Sequence, residues 1–406
     1  MTENKKTPGT GFYGLGIAPA LLEALDRMKF KVPTPIQAQA IPVACTGKDL
    51  AGIAQTGTGK TIAFAIPMIQ RLAGQNKKGL VLLPTRELAL QVNSVFQRFA
   101  PLMKMKTAVL IGGESMVKQK NELKLKPRIL IATPGRLIDH LGQKTVKLND
   151  VAILVLDEAD RMLDMGFAPQ IERILESVPV ERQTMLFSAT MPKEIMDIAS
   201  NYMQLPITVE VARSGTMAEN VVQEVFVVQK ERKGALLGKL LDKYTGSVLI
   251  FTRTKHGAKK VKTVLREMGH SAAEIHSNRT LAQRRQALEG FKNGQYRVLV
   301  ATDIASRGID VTGIELVINY DLPDEEDNYV HRIGRTGRAG RAGRAISFAT
   351  PDQGPEINRI EKIIRVAIPI STHPDFPAER LIPPVPVKVS WKGMRVFGKK
   401  RRGRIR

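Results

Sequence analysis

Cysteine is almost missing from the chain: Cys45 is alone among 406 residues, which excludes an internal disulfide and any Cys-based zinc ribbon. A reducing, cytosolic setting is the default for such a composition. Histidine is scarce as well, and the six present show no H-x-x-x-H or similar ligand spacing, so no structural metal site is expected. Long apolar runs are also lacking. The run from Val151 to Leu156 meets Asp157 at once, and nothing approaches the roughly 18 consecutive apolar residues of a membrane span. Residues 1–11 are polar and have no apolar signal-peptide core. These absences lead us to expect a soluble cytoplasmic protein that makes no membrane contact.

Acidic side chains are the remaining shortage. Asp and Glu number 39 against 62 Lys and Arg, giving a formal charge of +23 and a pI near 10.1. Such an excess favours a polyanion partner, most simply nucleic acid, although it also suits a membrane surface or mere solubility.

What the chain does have is size and rhythm. At roughly 150 residues per domain, 406 residues predict two or three units. Short β-rich runs at 80–83, 129–132, 153–156, 184–187, 248–251, 298–301 and 316–318 alternate with helix-period stretches such as 87–99 and 257–268. That alternation predicts parallel sheets covered by helices on both faces, with ligands at the carboxyl ends of the strands. A poorly periodic segment suggests a seam. We expect one domain over 1–208, a linker at 209–220 and a second domain over 221–368. Beyond it, 369–406 reads as a Pro-rich bridge and a basic, disordered tail: residues 388–406 carry nine cations, no acid, and the aromatics Trp391 and Phe397. The aromatics could stack on RNA bases; a merely solvated tail is the plain alternative.

After the apolar 50–53 comes Ala54-Gln55-Thr56-Gly57-Thr58-Gly59-Lys60-Thr61, then a helix-like stretch. A strand, a Gly-rich loop and a helix N-terminus aim backbone N–H groups at phosphate oxygens. Lys60 would reach the β/γ-phosphates and the Thr61 hydroxyl would hold Mg²⁺. Ala54 stands where the strict pattern has its first glycine. The other half of this site is Asp157-Glu158-Ala159-Asp160 at the end of a buried strand, where a carboxylate is costly unless a cation or hydrogen bonds engage it. Asp157 fits as a Mg²⁺-holding aspartate and Glu158 as the residue that orients the attacking water. Mg-ATP hydrolysis follows as the expectation.

The second half holds no other G-K-[ST] sequence, yet it carries His331-Arg332-Ile333-Gly334-Arg335-Thr336-Gly337-Arg338. Arginines without a phosphate loop could complete the first domain's site across a cleft, with Arg335 and Arg338 as arginine fingers in cis. Plain contact with RNA phosphates is the other reading of that run.

Together these motifs resemble, in order and over about residues 12–350, the DEAD-box ATP-dependent RNA helicases, most of all the bacterial RhlE type. The resemblance implies two tandem RecA-like α/β domains with ATP and single-stranded RNA bound across the cleft. It implies that Gln37 pairs with the adenine edge, Phe30 stacks on the ring and Phe12 supports that motif from outside. It assigns Asp310 to the ribose and places Gly308 near the phosphates. Ser188, Thr190, Asp303 and His331 are implied to couple hydrolysis to unwinding. RNA contacts are implied for Pro84, Thr85, Arg86, Gly113, Thr133, Gly135 and Arg136 in the first domain, and for Arg253, Arg284 and Thr302 in the second. Such loop residues suit sugar and phosphate, so binding should tolerate any sequence and tell RNA from DNA through the 2′-OH. Two positions depart from the family pattern: Lys29 replaces its usual Gly, and Ser306 its usual Ala. The expected activity is an RNA-dependent ATPase that separates short duplexes or remodels ribonucleoprotein, in ribosome assembly or RNA turnover. An ATP-gated clamp or annealer and a non-enzymatic RNA chaperone are the rivals.

Overall fold

A computed structural model of the chain describes residues 11–55, 57–211, 221–306, 313–337, 342–377 and 379–382. The expectations for Thr56, Gly308, Asp310, Arg338, the Ser306 side chain, most of the linker and the basic tail lie outside these residues.

The first sheet is built from β1 (Leu50–Ile53), β2 (Lys78–Leu82), β3 (Thr107–Leu110), β4 (Ile129–Ala132), β5 (Val151–Asp157), β6 (Gln183–Ser188) and β7 (Ile207–Glu210). Their spatial order is β3-β4-β2-β5-β6-β1-β7, with every neighbouring pair parallel. The second sheet comprises β8 (Val221–Val227), β9 (Val248–Phe251), β10 (Ala272–Ile275), β11 (Val298–Ala301), β12 (Leu316–Asn319) and β13 (Gly343–Ala349). It runs β10-β11-β9-β12-β13-β8, again all parallel. Strands such as Val-Leu-Ile-Phe and Val-Leu-Val-Ala are apolar at every position because helices cover both faces of a parallel sheet. Two apolar clusters accordingly flank each sheet.

Helix starts follow local chemistry. Thr85, Ser115 and Thr254 each accept a hydrogen bond from the backbone three residues on, and Thr280 closes a capping box with Gln283. Lys29, the first departure from the family pattern, has φ 63°. That is the left-handed region in which glycine meets no steric cost, which explains why glycine suits the position.

Two features differ from the sequence-based expectation. The linker expected from 209 starts later, because Ile207–Glu210 pairs with β1 as the last strand of the first sheet. The Pro-rich stretch does not begin as a free bridge either. Pro369 accepts from Val225 N, Ser371 N donates to Val225 O, and Glu379 N donates to Val227 O. Phe376 is buried in the second domain's core under the Arg232 guanidinium, 5.0 Å from the ring centre. The backbone donors that proline leaves available find acceptors on the edge strand β8.

Candidate nucleotide and RNA cleft

The loop after β1 turns into the helix Lys60–Ala73 at Gly59, whose φ of 91° only glycine adopts freely. Lys60 is buried, and its ammonium donates to Ala54 O at 2.8 Å. Thr58 Oγ1 closes the loop onto Gln55 O at 2.7 Å. Gly57, at φ 87°, lies between them, and Thr61 opens the helix beside Lys60. Gln37 is held tightly: Thr34 N donates to its Oε1 at 2.9 Å, and its Nε2 donates to Gly59 O at 3.0 Å. In this conformation the Gln37 amide caps the helix Pro35–Cys45 and ties it to the phosphate loop, with both ends engaged rather than offered to a base. Phe12 is buried in the adjacent core and Phe30 packs at its margin.

Asp157 ends β5 against this loop. Burial pushes its carboxyl up to about 6, against the pull of Lys60. Glu158 follows at φ 52°, accepts from Arg161 Nη1 at 2.9 Å through Oε2, and leaves Oε1 buried without a partner. A buried carboxylate pressed toward neutrality, beside an orphaned carboxylate oxygen, is a donor set suited to a hard cation and a water.

Asp160 is the junction. Its Oδ2 accepts from Ala189 N, Thr190 N and Thr190 Oγ1 at 3.1, 3.0 and 3.1 Å, and its N–H donates to Ser188 Oγ at 3.2 Å. From Arg161 the network crosses to the other sheet, where Nη2 donates to His331 Nδ1 at 3.1 Å. Burial, and then Arg161, hold the His331 imidazole down at about 3, so it is neutral and its Nδ1 accepts. Arg332 lies 5.0 Å from the Phe251 ring centre and binds both Asp303 oxygens at 2.6 and 2.7 Å, together with Asn319 Oδ1 and Asp321 O. Arg335 is buried next to it.

The residues implied in RNA binding cluster at the carboxyl ends of β2, β3, β4, β9 and β11. Pro84 and Thr85 follow β2, and Thr85 caps the helix Arg86–Phe99. The Arg86 guanidinium lies over Gly113, where any Cβ would collide with it. Thr133 precedes the helix Pro134–Gly142, Gly135 opens onto free space, and Arg136 Nη1 is turned to Glu114 O at 3.0 Å. Thr302 follows β11 and donates its N–H to Ile275 O, while Arg253 pairs with Asp324 at 3.0 Å on the surface.

Sequence reasoning missed Arg161 and Arg285 as connecting residues, and it gave Arg284 only an RNA contact. Arg161 is 2% exposed and joins Glu158 to His331. Arg284 meets the buried Glu87 at 3.0 Å, and Arg285 meets Glu114 at 2.9 Å, bringing helix Leu281–Lys292 of the second domain onto the first. The i,i+3 spacing of Glu158 and Arg161 was the one available signal.

Comparison with known proteins decides the family. A DEAD/DEAH box helicase model matches residues 34–198 and a helicase conserved C-terminal domain model matches 232–340. The ATP-dependent rRNA helicase RRP3 of Debaryomyces hansenii is 43% identical over 367 residues, covering 89% of this chain and 77% of that one. The chain belongs to the DEAD-box ATP-dependent RNA helicases. Another member, the DEAD-box ATP-dependent RNA helicase CshA of Bacillus subtilis, is 43% identical over 354 residues, covering 86% of this chain and 72% of its own. Among solved structures, S. cerevisiae Dbp5 bound to RNA and ADP BeF3 superposes with a TM-score of 0.80 at 30% identity, covering 89% of this chain and 96% of that one. This DEAD-box chain is thus an ATP-hydrolysing enzyme acting on RNA, built on two tandem RecA-like domains. Among the described residues, no helix is long and apolar enough to cross a membrane.

Proposed function

We propose that ATP lies between the loop Ala54–Thr61 and the arginines of the second domain, and that its hydrolysis is gated by the Asp160–Arg161–His331 link. That link carries the reading, because it joins the Ser188–Thr190 segment to Glu158 and to the second domain through a continuous set of hydrogen bonds. Thr61 and Asp157 would hold Mg²⁺, which supplies charge neutralisation at the phosphates. Glu158, with Oε1 free, orients the attacking water, and Arg161 fixes its carboxylate. Lys60 must leave Ala54 O to reach the phosphates, and Gln37 must release Gly59 O to read an adenine edge. Arg335, with Arg338, then supplies cationic charge when the domains close.

RNA lies across the carboxyl ends of β2, β4, β9 and β11, held by backbone contacts from Arg86, Gly113, Thr133, Gly135, Arg253 and Thr302. Closure on ATP and RNA bends one strand and separates a short duplex. We place the end of the first domain after β7, at Glu210, the start of the second at Val221, and the chain in the cytoplasm. Within the family we place it with the bacterial RhlE type, acting in ribosome assembly or RNA turnover; the rRNA helicase relative supports the first setting. Steady-state ATP hydrolysis without nucleic acid, with single-stranded RNA and with DNA of the same sequence tests this reading. Strong stimulation by RNA and little by DNA is the expected result; indifference to RNA would break the gating argument.

A further inference from the structure

Four strands lie side by side at one flank of the first sheet, in the order β3-β4-β2-β5. Lys77 and Lys78 stand at the foot of β2, and Lys104 and Lys106 precede β3. Lys124 and Lys126 precede β4, while Lys144 and Lys147 precede β5. All but Lys78 are exposed. In segments 74–78, 104–106, 124–128 and 143–150 the sole acid is Asp150. The rest of the same edge is balanced: Lys48 adjoins Asp49 before β1, Glu181 adjoins Arg182 before β6, and 203–206 before β7 carries no charge. The positive edge is therefore local, and it lies at the opposite end of the strands from the nucleotide loop.

Helix dipoles account for part of it, since helices of a parallel α/β domain end at this edge and favour cations there. They do not account for Lys77, Lys78, Lys106 and Lys147, which sit at strand starts. The backbone adds an independent sign. Lys104, Lys126 and Lys144 have φ of 55°, 52° and 54°. At the matching helix ends of the second domain the chain uses Gly269 and Gly294. The turn is the same: Lys126 N and Lys144 N donate to carbonyls three residues back at 3.1 and 2.9 Å, as Gly269 N and Gly294 N do at 3.0 and 3.3 Å. Lysine is thus kept where glycine would be less strained. A cavity of about 430 Å³ opens between these loops, lined in part by Lys77, Lys126 and Lys147. Arg128 shapes it, donating to Leu72 O at 2.6 Å and Lys77 O at 3.0 Å, so that the turn before β2 is fixed against β4.

We infer that this edge is a second RNA-binding surface, taking the phosphate backbone of a double-helical segment beyond the single strand in the cleft. The four strand ends span about 14 Å at about 4.8 Å per strand. That spans on the order of four or five phosphates along one strand of an RNA duplex. The four segments contain no aromatic residue, so bases cannot stack there, and lysine engages phosphate as a point charge without reading base edges. The inference rests on RNA being the substrate and not on the role of any residue in the nucleotide site.

The test uses the full chain and the variant Lys77→Gln, Lys106→Gln, Lys126→Gln, Lys147→Gln. Affinity for an RNA duplex with a single-stranded extension is measured from about 50 to 200 mM salt. The variant should flatten the slope of log affinity against log salt by about 3 to 4. ATPase stimulation by a single strand of about ten nucleotides, which fills only the cleft, should be unchanged. An unchanged slope overturns the proposal, including the case where polyglutamate binds the wild type and not the variant, which would make the edge a protein-docking surface. Should the short-strand stimulation fall as well, Lys126→Gly with Lys144→Gly decides, because it removes charge while relieving the backbone. A slope flatter by about 2 supports the surface, and no change rejects it.

Discussion

The two walls of the cleft are built from similar parallel sheets but manage their charges in opposite ways. On the first wall Asp157 is 3% exposed, its carboxyl pushed up to about 6 by burial, and Glu158 keeps one buried oxygen without a partner. On the second wall Arg332 is as deeply buried, yet Asp303, Asn319, Asp321 and the Phe251 face satisfy it. A buried carboxylate oxygen without a partner carries a desolvation cost that a typical neutral hydrogen bond elsewhere does not return. In the proposed mechanism a bound ligand completes the first wall, whereas Arg332 on the second is already satisfied within its own domain. On the proposed reading, chemistry belongs to one domain and gating to the other.

Removing the unsatisfied charge should have the largest effect. Glu158→Gln keeps the shape and the bond from Arg161 but weakens the grip on water. RNA-stimulated turnover should fall on the order of 10²- to 10³-fold, while equilibrium binding of ATP and RNA stays within a few-fold. Normal turnover would remove Glu158 from the mechanism. The matching change on the other wall is smaller. His331→Ala deletes the acceptor of a charged hydrogen bond, a loss of about 1.5–3 kcal/mol to the closed state, so stimulated hydrolysis should drop roughly 10- to 100-fold. ATP affinity measured without RNA should not move; if it weakens equally, His331 belongs to the binding site and not to the gate.

How much of this asymmetry could be read from the chain depends on how local each signal is. The candidate phosphate loop and the Asp157-Glu158 pair could be picked out from the sequence because each lies within a few residues of a strand end. The two-sheet architecture was legible through runs such as Val248–Phe251, apolar at every position. Arg161 was not, because its meaning lies in His331, 170 residues away. The pairs Glu87–Arg284 and Glu114–Arg285 were hidden for the same reason. β10 is Ala-Ala-Glu-Ile, a weak strand former whose Glu274 is buried against Lys262, His276 and Arg279. The stretch 369–382 misled through composition: its prolines suggested an extended bridge, but one aromatic, Phe376, anchors it.

Asp157 also separates stability from activity. Its folded pKa of about 6 exceeds the ordinary 3.8, so the folded state holds its proton more tightly than the unfolded chain. The group's contribution to stability is then fully present below about pH 4 and is lost as pH rises toward 6. At pH 7 the ionised carboxylate is a burden on the ligand-free protein. Asp157→Asn should therefore raise ligand-free stability by on the order of 1–3 kcal/mol while hydrolysis is lost. A melting temperature that falls instead would show that the carboxylate is already satisfied inside the protein.

The smallest expected effects test the two domains at their helix ends. Lys126 and Lys144 occupy in the first domain the left-handed positions that Gly269 and Gly294 occupy in the second. A side chain in that region carries about 1–2 kcal/mol of backbone strain, part of which glycine's larger unfolded-state entropy would cancel. Lys126→Gly and Lys144→Gly should each shift the urea midpoint upward by an amount worth a few tenths to about 1 kcal/mol. Gly269→Lys should shift it downward by about 1 kcal/mol, since no neighbour lies within 4 Å of its Cβ and only the backbone changes. If the first pair lowers stability, those lysines are held by the fold, and their strain needs no partner to explain it. If it raises stability, lysine is retained at a cost to the fold, and the reason lies in what the positive edge binds.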